Sequence, residues 1–182
     1  CQFCAFGVKA DHPHAYEKSL EDIFSDAEKY NGGEVSEFHI VGGLHPDFPF
    51  EYYLDMLKGL KERFPLVHIQ ALTAVEVEYF ARLANLPLEE TLEKLKEAGL
   101  GSIPGGGAEI FAKRVRRKIC GEKINGEDWL QVHETAHLAG LKSNATMLYG
   151  HLETAEGRSD HLVQLRELQD RTHGFVTFIP LA

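Results

Sequence analysis

Two cysteines near the start of the chain, Cys1 and Cys4, have the residue type and spacing that most directly suggest chemistry. A Cys-x-x-Cys pair can supply thiolates to zinc or to an iron–sulfur cluster, or it can act as a redox pair. No second pair follows in the sequence, which disfavours a zinc ribbon, and the polar stretch at 9–14 is not the helix start of a thioredoxin-like motif. Cluster binding is one interpretation of the pair, and half of a zinc site, a redox pair or two structural thiols are the alternatives that these residues leave open.

Glycine, threonine, histidine and glutamate recur directly after apolar runs of the sequence. Glycines there let a ligand approach the backbone closely, and a carboxylate can hold a ribose diol or an amine, or relay protons. The alternative is structural, because glycine serves tight turns and acids favour helix starts. The residues concerned are Gly42, Gly43, His45, Thr73, Glu76, the glycines at 105–107, Glu109, His151 and Glu153.

A His-Glu-Thr-Ala-His stretch places His133 and His137 four residues apart on one predicted helix. It matches the H-E-x-x-H pattern of zinc proteases, so a zinc-dependent hydrolase is the alternative from another class. No third ligand stands out downstream. The structural alternative is a helix packed on the sheet with partly exposed imidazoles.

Five short apolar runs alternate with amphipathic helical patterns at intervals typical of βα units. We predict strands at 37–41, 67–72, 100–103, 142–149 and 174–179. We predict helices at 16–30, 49–64, 75–84, 88–98, 108–119, 126–139 and 158–172. The alternation predicts an α/β fold with a parallel sheet, and periodicity alone does not separate a barrel from an open doubly wound sheet. In a barrel, functional residues collect where strands run into the following loops, which is where the residues above lie.

Composition narrows the class of protein. The chain has 182 residues, of which 43 % are hydrophobic and 26 % charged, as expected for one globular domain. Its net charge of −9 repels phosphate backbones and argues against nucleic acid. No apolar run approaches the ~20 residues of a membrane helix, and three cysteines suggest a reducing compartment, the cytoplasm. We expect the basic run at 113–118 to be a solvated face and Cys120 to be a bystander thiol.

The cysteine pair, with Phe3 in its gap, resembles the end of the CxxxCxxC motif of radical S-adenosylmethionine (SAM) enzymes. The glycines at 42–43 resemble the pair that receives the methionine amino group in that family. The stretch 146–153 resembles its GxIxGxxE motif, with Thr146 where glycine is usual and Leu148 for isoleucine.

The resemblance narrows to one subgroup and covers nearly the whole chain. Stretches 39–46, 102–109, 145–151 and 165–180 look like the subgroup of aminofutalosine synthases, cyclic dehypoxanthinyl futalosine synthases and deazaflavin-chromophore synthases. Within it, 72–76, the tyrosines at 52–53 and 178–181 look most like the aminofutalosine synthases, and the cyclases are the nearest rival.

The resemblance implies a radical-SAM-type (β/α) barrel, present as a partial barrel of about five strands, with a [4Fe–4S] cluster and SAM as cofactors. Cys1 and Cys4 would be two cluster ligands, the first ligand lying four residues before Cys1. The implied cofactor-binding residues are Phe3, Gly42, Gly43, Thr73, Glu76, Glu109 and Glu153. His45, His151 and Arg114 would act on a dianionic substrate.

The implied reaction adds the 5′-deoxyadenosyl radical to 3-[(1-carboxyvinyl)oxy]benzoate and gives 6-amino-6-deoxyfutalosine and bicarbonate in menaquinone biosynthesis. The small-molecule substrate would be joined by an electron donor such as flavodoxin or ferredoxin. We further expect both ends of 1–182 to be cuts in a radical SAM core domain. The first cluster cysteine and first strand would lie upstream, and the rest of the barrel downstream.

Overall fold

The computed structural model describes residues 3–4, 7–8, 12–30, 33 and 35–182. Its five strands all pair in parallel and lie side by side in chain order. They are β1 (Glu37–Ile40), β2 (His68–Ala71), β3 (Ser102–Ile103), β4 (Lys142–Leu148) and β5 (Phe175–Leu181). A doubly wound sheet reverses its strand order at a switch point, whereas a barrel keeps chain order. The predicted partial barrel of five strands is therefore confirmed.

Seven helices accompany the described strands and lie close to the predicted spans. They are α1 (Leu20–Glu28), α2 (Phe50–Arg63), α3 (Ala74–Ala84), α4 (Leu88–Glu97), α5 (Lys113–Cys120), α6 (Gly126–Leu138) and α7 (Ala155–Thr172). Thr73 caps α3 through a capping box with Glu76, and Asn125 and Thr154 cap α6 and α7 with their side chains. Asn85 ends α3 in the left-handed conformation common at helix ends.

The helix predicted at 108–119 was wrong over its first turn, since α5 begins only at Lys113. Glu109 has a positive φ of 46°, which an α-helix cannot include. Its carbonyl accepts a hydrogen bond from the Leu148 amide at 2.7 Å, so this segment runs along the end of β4. Ile110 is fully buried there, and tertiary contacts outweigh the helical pattern.

The main hydrophobic core lies between the sheet and the helices. Leu57, Phe80, Leu92 and Trp129 are fully buried, and they come from α2, α3, α4 and α6. Each such side chain stabilises the fold by roughly 1.5–3 kcal/mol relative to exposure. The helix layer therefore holds the strand ends in fixed relative positions. Over the described ranges, no helix is both long enough and apolar enough to cross a membrane.

Candidate functional site

The loop after β1 and the start of α3 after β2 are joined by Glu76. Its Oε1 accepts a hydrogen bond from the Gly42 amide at 2.9 Å, and its Oε2 accepts from the Thr73 amide and hydroxyl at 2.8 and 2.7 Å. Glu76 is 2 % exposed. Burial raises the pKa of its carboxyl above the ordinary value, while the bonds from Thr73 and Gly42 oppose that shift.

The glycines at 42 and 43 differ in their surroundings. A Cβ at Gly42 would lie 3.3 Å from Glu76 Oε1, whereas a Cβ at Gly43 would meet nothing within 4 Å. Gly42 is thus held against the carboxylate of Glu76. The backbone of Gly43 is exposed, in the loop that follows the end of β1. An exposed backbone of this kind suits a small polar ligand.

The glycine turn after β3 packs tightly against its neighbours. A Cβ at Gly105 would lie 2.7 Å from the Asn144 carbonyl oxygen, a distance that real side chains do not tolerate. Thr146 donates its hydroxyl to the Gly105 carbonyl at 2.6 Å. Gly107 adopts a positive φ of 87°. The turn therefore needs glycine for packing, which favours the structural interpretation of this motif.

Arg116 on α5 holds the same turn from behind. Its guanidinium donates to the carbonyls of Ala108 at 2.6 Å, Gly107 at 2.8 Å and Ile124 at 2.8 Å. Arg116 is 4 % exposed, and burial lowers its pKa below the ordinary value. The prediction that the basic run is a solvated face was wrong for this residue. Three carbonyl acceptors compensate the cost of burying the charge.

Glu109 and Glu153 are also engaged within the chain. Glu109 is mostly buried and pairs with Lys123, with 2.6 Å between Oε1 and Nζ. Glu153 accepts from the amides of Gly150 and His151 at 2.8 and 3.0 Å and from Arg158 at 2.7 Å. The Gly150 amide in particular lowers the pKa of Glu153 to about 2. Each predicted carboxylate thus fixes a loop at the strand ends, and its contact with a cofactor stays a prediction.

The three candidate substrate residues are placed differently from one another. His45 Nε2 lies 2.7 Å from Glu17 Oε1, and its ring stacks on Phe48 with 4.0 Å between centroids. Both ring nitrogens of His151 make hydrogen bonds within its own turn. Nε2 lies 3.0 Å from the Leu148 carbonyl oxygen, and Nδ1 accepts from the Leu152 amide at 2.7 Å. Arg114 is exposed on α5. Their action on substrate stays a prediction.

Of the cysteine motif, Phe3 and Cys4 are described and both are exposed, whereas Cys1 lies outside the described residues. A Cβ added to Gly7 would lie 3.5 Å from Cys4 Sγ, so the chain packs closely beside the thiol. Cys120 is buried, and burial raises the pKa of its thiol. A buried thiol of this kind is inert, in agreement with the bystander interpretation.

The two helix histidines were expected to be partly exposed, and this was wrong. His133 is fully buried and His137 is 8 % exposed. Both rings hydrogen-bond to Ser143 on β4. Its Oγ lies 2.8 Å from His133 Nδ1 and 2.7 Å from His137 Nε2. His137 Nδ1 also lies 2.7 Å from the Thr172 hydroxyl. These contacts favour a structural pair over a zinc centre, and among the described residues no three His, Cys, Asp or Glu side chains converge as ligands.

The sequence interpretation missed a row of polar side chains on the other face of the sheet. Ser143 bonds to α6 and so faces the helices. The pairing with β5 shifts register between Ser143 and Asn144, but the hydrogen bond from Asn144 to Gln70 agrees with the alternation and places Asn144 on the opposite, inward face. Likewise the Phe38 ring packs on Phe64 at the end of α2, with 5.1 Å between ring centroids. Phe38 therefore faces the helices and His39 points inward.

His39 pairs in register with Gln70 and Gln70 with Ser102, whereas Asn144 pairs with Thr177. Ser102 pairs with Lys142, two residues before Asn144, so the two groups are joined by the hydrogen bond from Asn144 to Gln70 and not by register. We call these five residues, one from each strand, the inward polar strip. Its members are His39, Gln70, Ser102, Asn144 and Thr177.

Hydrogen bonds connect the centre of this strip. Ser102 Oγ lies 2.7 Å from His68 Nε2 and accepts from Gln70 Nε2 at 3.2 Å. Gln70 Oε1 accepts from Asn144 Nδ2 at 3.3 Å. The signal available in the sequence is a polar residue at every second position of 68–70 and of 142–146, which Ser143 weakens because it is polar as well. Taken as whole segments, these positions predict only short strands and not a polar face.

Comparison with known proteins adds the deciding observation, since the sequence profile of the radical SAM superfamily matches residues 1–165. The chain belongs to the radical SAM superfamily. Members of this superfamily use a [4Fe–4S] cluster and SAM, so the predicted cofactors are confirmed at the level of the superfamily. The solved structure of methylornithine synthase (PylB) has the same fold, with a TM-score of 0.64 and 15 % identity over 91 % of this chain and 46 % of that one.

Two groups of curated relatives align with the whole chain. Aminodeoxyfutalosine synthases from Thermus thermophilus and Streptomyces coelicolor are 51 % and 43 % identical over 49 % and 47 % of their own lengths. The 5-amino-6-(D-ribitylamino)uracil–L-tyrosine 4-hydroxyphenyl transferase of Methanopyrus kandleri is 39 % identical over 49 % of its length. The chain spans about half the length of the curated relatives that it matches.

The described residues suit the cofactors of the superfamily. Cys4 is an exposed thiol, as a cluster ligand must be before the metal binds. Gly43 leaves open space beside the ends of the strands, so a polar ligand group such as an amine could approach the backbone there. Glu76 fixes the neighbouring Gly42 and so sets the position of this backbone.

Proposed function

We propose that the full-length protein is a radical SAM aminodeoxyfutalosine synthase. It would break the S–C5′ bond of SAM, with methionine as the leaving group, and join the 5′-deoxyadenosyl group to 3-[(1-carboxyvinyl)oxy]benzoate. With water consumed, the products would be 6-amino-6-deoxyfutalosine, bicarbonate and methionine. The observation that carries the proposal is the 51 % identity to the Thermus thermophilus enzyme, against 39 % to the Methanopyrus kandleri transferase over the same residues.

Cys1 and Cys4 would hold two of the cluster irons through thiolates, and the backbone at Gly42 and Gly43 would receive the amino end of SAM. When bound, the cluster and SAM together supply a carbon radical that can add to the vinyl group of the substrate. The chain's own residues hold the loops around this centre. Glu76 positions the Gly42 amide, and Arg116 positions the carbonyls of the glycine turn.

A dianionic substrate needs donors or cations, and His45, His151 and Arg114 are the proposed residues at the strand ends. His45 Nε2 lies 2.7 Å from Oε1 of the exposed Glu17 side chain, and a contact to an exposed side chain contributes little and is readily exchanged. Replacing His45 with alanine should lower turnover without loss of the cluster. Unchanged turnover would remove His45 from the site.

The decisive experiment uses the full-length protein, reconstituted without oxygen and supplied with SAM and dithionite. Three substrates are offered separately: 3-[(1-carboxyvinyl)oxy]benzoate, dehypoxanthinyl futalosine, and 5-amino-6-(D-ribitylamino)uracil with tyrosine. Product analysis by mass spectrometry should show conversion of the first alone. Conversion of either other substrate in its place would refute the proposal, and Cys4→Ala serves as the control without a competent cluster.

The physiological electron would come from a small carrier such as flavodoxin or ferredoxin in the reducing cytoplasm. Replacing dithionite with either reduced carrier tests this point. We expect turnover to be retained with at least one of them.

A further inference from the structure

We propose that the inward polar strip recognises the ring carboxylate of the substrate, with the Asn144 side-chain amide as the principal donor. The inference rests on the function proposed above and adds residues that determine specificity. It starts from the placement of five polar side chains, one from each strand, on the inner face of the sheet.

The orientation of Asn144 is fixed by the residues beneath it. Gln70 is 6 % exposed and Ser102 is 5 % exposed, and each is hydrogen-bonded to the other. Gln70 uses its amide to donate to Ser102, so its Oε1 faces Asn144 and accepts one N–H from Nδ2. The Asn144 amide carries two N–H groups, and the second is directed away from Gln70. Asn144 is half-buried, so this donor is within reach of a ligand on the inner face.

The neighbours of Asn144 on this face also favour an anion. His39 and Thr177 flank the centre of the strip on β1 and β5, and both are exposed. The strip contains no acidic residue, although the chain as a whole carries a net charge of −9. Glu37, the acid nearest in register, pairs with His68 at the start of β2 and so lies below the strip. Donors without a competing carboxylate are what an ionised carboxylate requires.

Depth along the strands assigns which carboxylate is bound. Asn144 lies four residues before the end of β4, and His39 lies one residue before the end of β1. The vinyl group must meet the radical at the strand ends, beside Gly43, so the opposite end of the molecule extends inward. That end carries the carboxylate on the benzene ring. A packed barrel interior would fill these positions with branched apolar residues. Hydrogen bonds within the strip satisfy the buried Gln70 and Ser102, and the second N–H of Asn144 is a donor that a ligand can still bond.

The test uses the Asn144→Asp variant of the full-length holoenzyme. This change keeps the size of the side chain and places a negative charge at the proposed carboxylate site. Titration calorimetry with SAM present and no reductant measures binding without turnover. Three probes are compared: the diacid 3-[(1-carboxyvinyl)oxy]benzoate, its methyl ester at the ring carboxylate, and its methyl ester at the vinyl carboxylate.

The variant should bind the diacid and the vinyl ester about 10-fold or more weakly than the wild type, because a charged hydrogen bond is replaced by repulsion. Its affinity for the ring ester should match that of the wild type. Asn85→Asp is the matched control, since it makes the same change at the exposed end of α3 and should leave all three affinities unchanged. Cluster absorbance and the melting temperature verify that the variant is folded.

An equal loss for all three probes, or no loss for any, overturns the strip as a carboxylate site. Because binding needs no turnover, the result is separate from the proposed reaction. One outcome would support the strip and refute the reaction. In it, the wild type binds the diacid, Asn144→Asp weakens binding of the diacid but not of the ring ester, and the wild type makes no aminodeoxyfutalosine. A wild type that binds none of the three probes overturns both.

Discussion

The two faces of the sheet each carry a serine bonded to a histidine, and the comparison shows how burial decides what such a pair does. On the outer face, Ser143 of β4 bonds to His133 and His137 of α6. On the inner face, Ser102 of the adjacent β3 bonds to His68 and Gln70. The chemical groups are nearly the same, but the outer pair is sealed under a helix whereas His68 is exposed.

The consequence is clearest in the charge state of the outer histidines. Burial lowers the pKa of His133 well below its ordinary value and lowers that of His137 to about 4. Both rings are therefore neutral at pH 7 and act as packing groups with a polar edge. The outer cluster stabilises the attachment of α6 to β4, and we assign ligand recognition to the inner face.

The largest expected difference between the faces is in stability. His133→Ala should lower the free energy of unfolding by about 3–5 kcal/mol, because it leaves a cavity beside Trp129 and removes a buried hydrogen bond. The ring centroids of Trp129 and His133 are 3.8 Å apart. Neighbouring side chains therefore have little room to move into the cavity. Thermal or urea unfolding of the full-length protein measures the loss.

The matched control on the inner face is His68→Ala, which should cost less than about 1 kcal/mol because the ring is exposed. Equal losses at the two positions would show that burial does not separate the two clusters.

The serines give a second, smaller contrast with the same substitution. Ser143→Ala leaves a nitrogen on each of two buried rings without its partner, which should cost about 2 kcal/mol. Ser102→Ala should cost less, about 1 kcal/mol, because His68 can bond to water instead and only the buried Gln70 amide loses its acceptor. Unfolding experiments on the two variants side by side are sufficient, and a larger loss for Ser102→Ala would reverse our assignment of the faces.

The outer histidines also predict how stability depends on acid. Their pKa values are lower in the folded than in the unfolded protein, so between pH 6.5 and about 4 the unfolded state binds more protons. The free energy of unfolding therefore falls as the pH is lowered through this window, by up to about 1.4 kcal/mol per pH unit for each histidine. His137→Gln keeps a polar group near Ser143 and should flatten the dependence. Parallel pH curves for wild type and variant would contradict the neutral state of His137.

The sequence predicted the fold well because local signals and tertiary contacts agree along most of the chain. The capping box at Thr73 and Glu76 marks the start of α3, and the apolar run before it marks β2. The segment around Glu109 was mispredicted because its conformation follows from the hydrogen bond to Leu148 on β4 and from the burial of Ile110. No local pattern encodes a contact of that kind.

The candidate site was only partly predictable for a related reason. Residue types at strand ends select loops that the structure places at the ends of the strands, and their role in a site stays a prediction. The partners of these residues, such as Gly42 for Glu76, become visible only in three dimensions. The burial of Arg116 was missed because its neighbours in sequence are exposed and basic. Gln70 and Asn144 were missed because short strands with mixed residues look apolar on average. The contacts of Ser143 and Phe38 with the helices were needed to decide which side chains point to the inner face of the sheet.

The smallest expected effect lies on the inner face and concerns ligand affinity. Ser102→Ala removes the acceptor that orients the Gln70 amide, so Gln70 no longer fixes Asn144 in one orientation. Affinity for 3-[(1-carboxyvinyl)oxy]benzoate should fall about 2- to 5-fold, since losing the orientation of one neutral hydrogen bond removes about 0.5–1 kcal/mol. Esterifying the ring carboxylate should reduce this effect, because the donor on Asn144 then matters less.

Calorimetry on the holoenzyme tests both points. Ser143→Ala is the control variant, which should change stability and leave affinity unchanged. An affinity loss in Ser143→Ala equal to that in Ser102→Ala would mean that the two faces are coupled through β4, and the division of roles between them would fail.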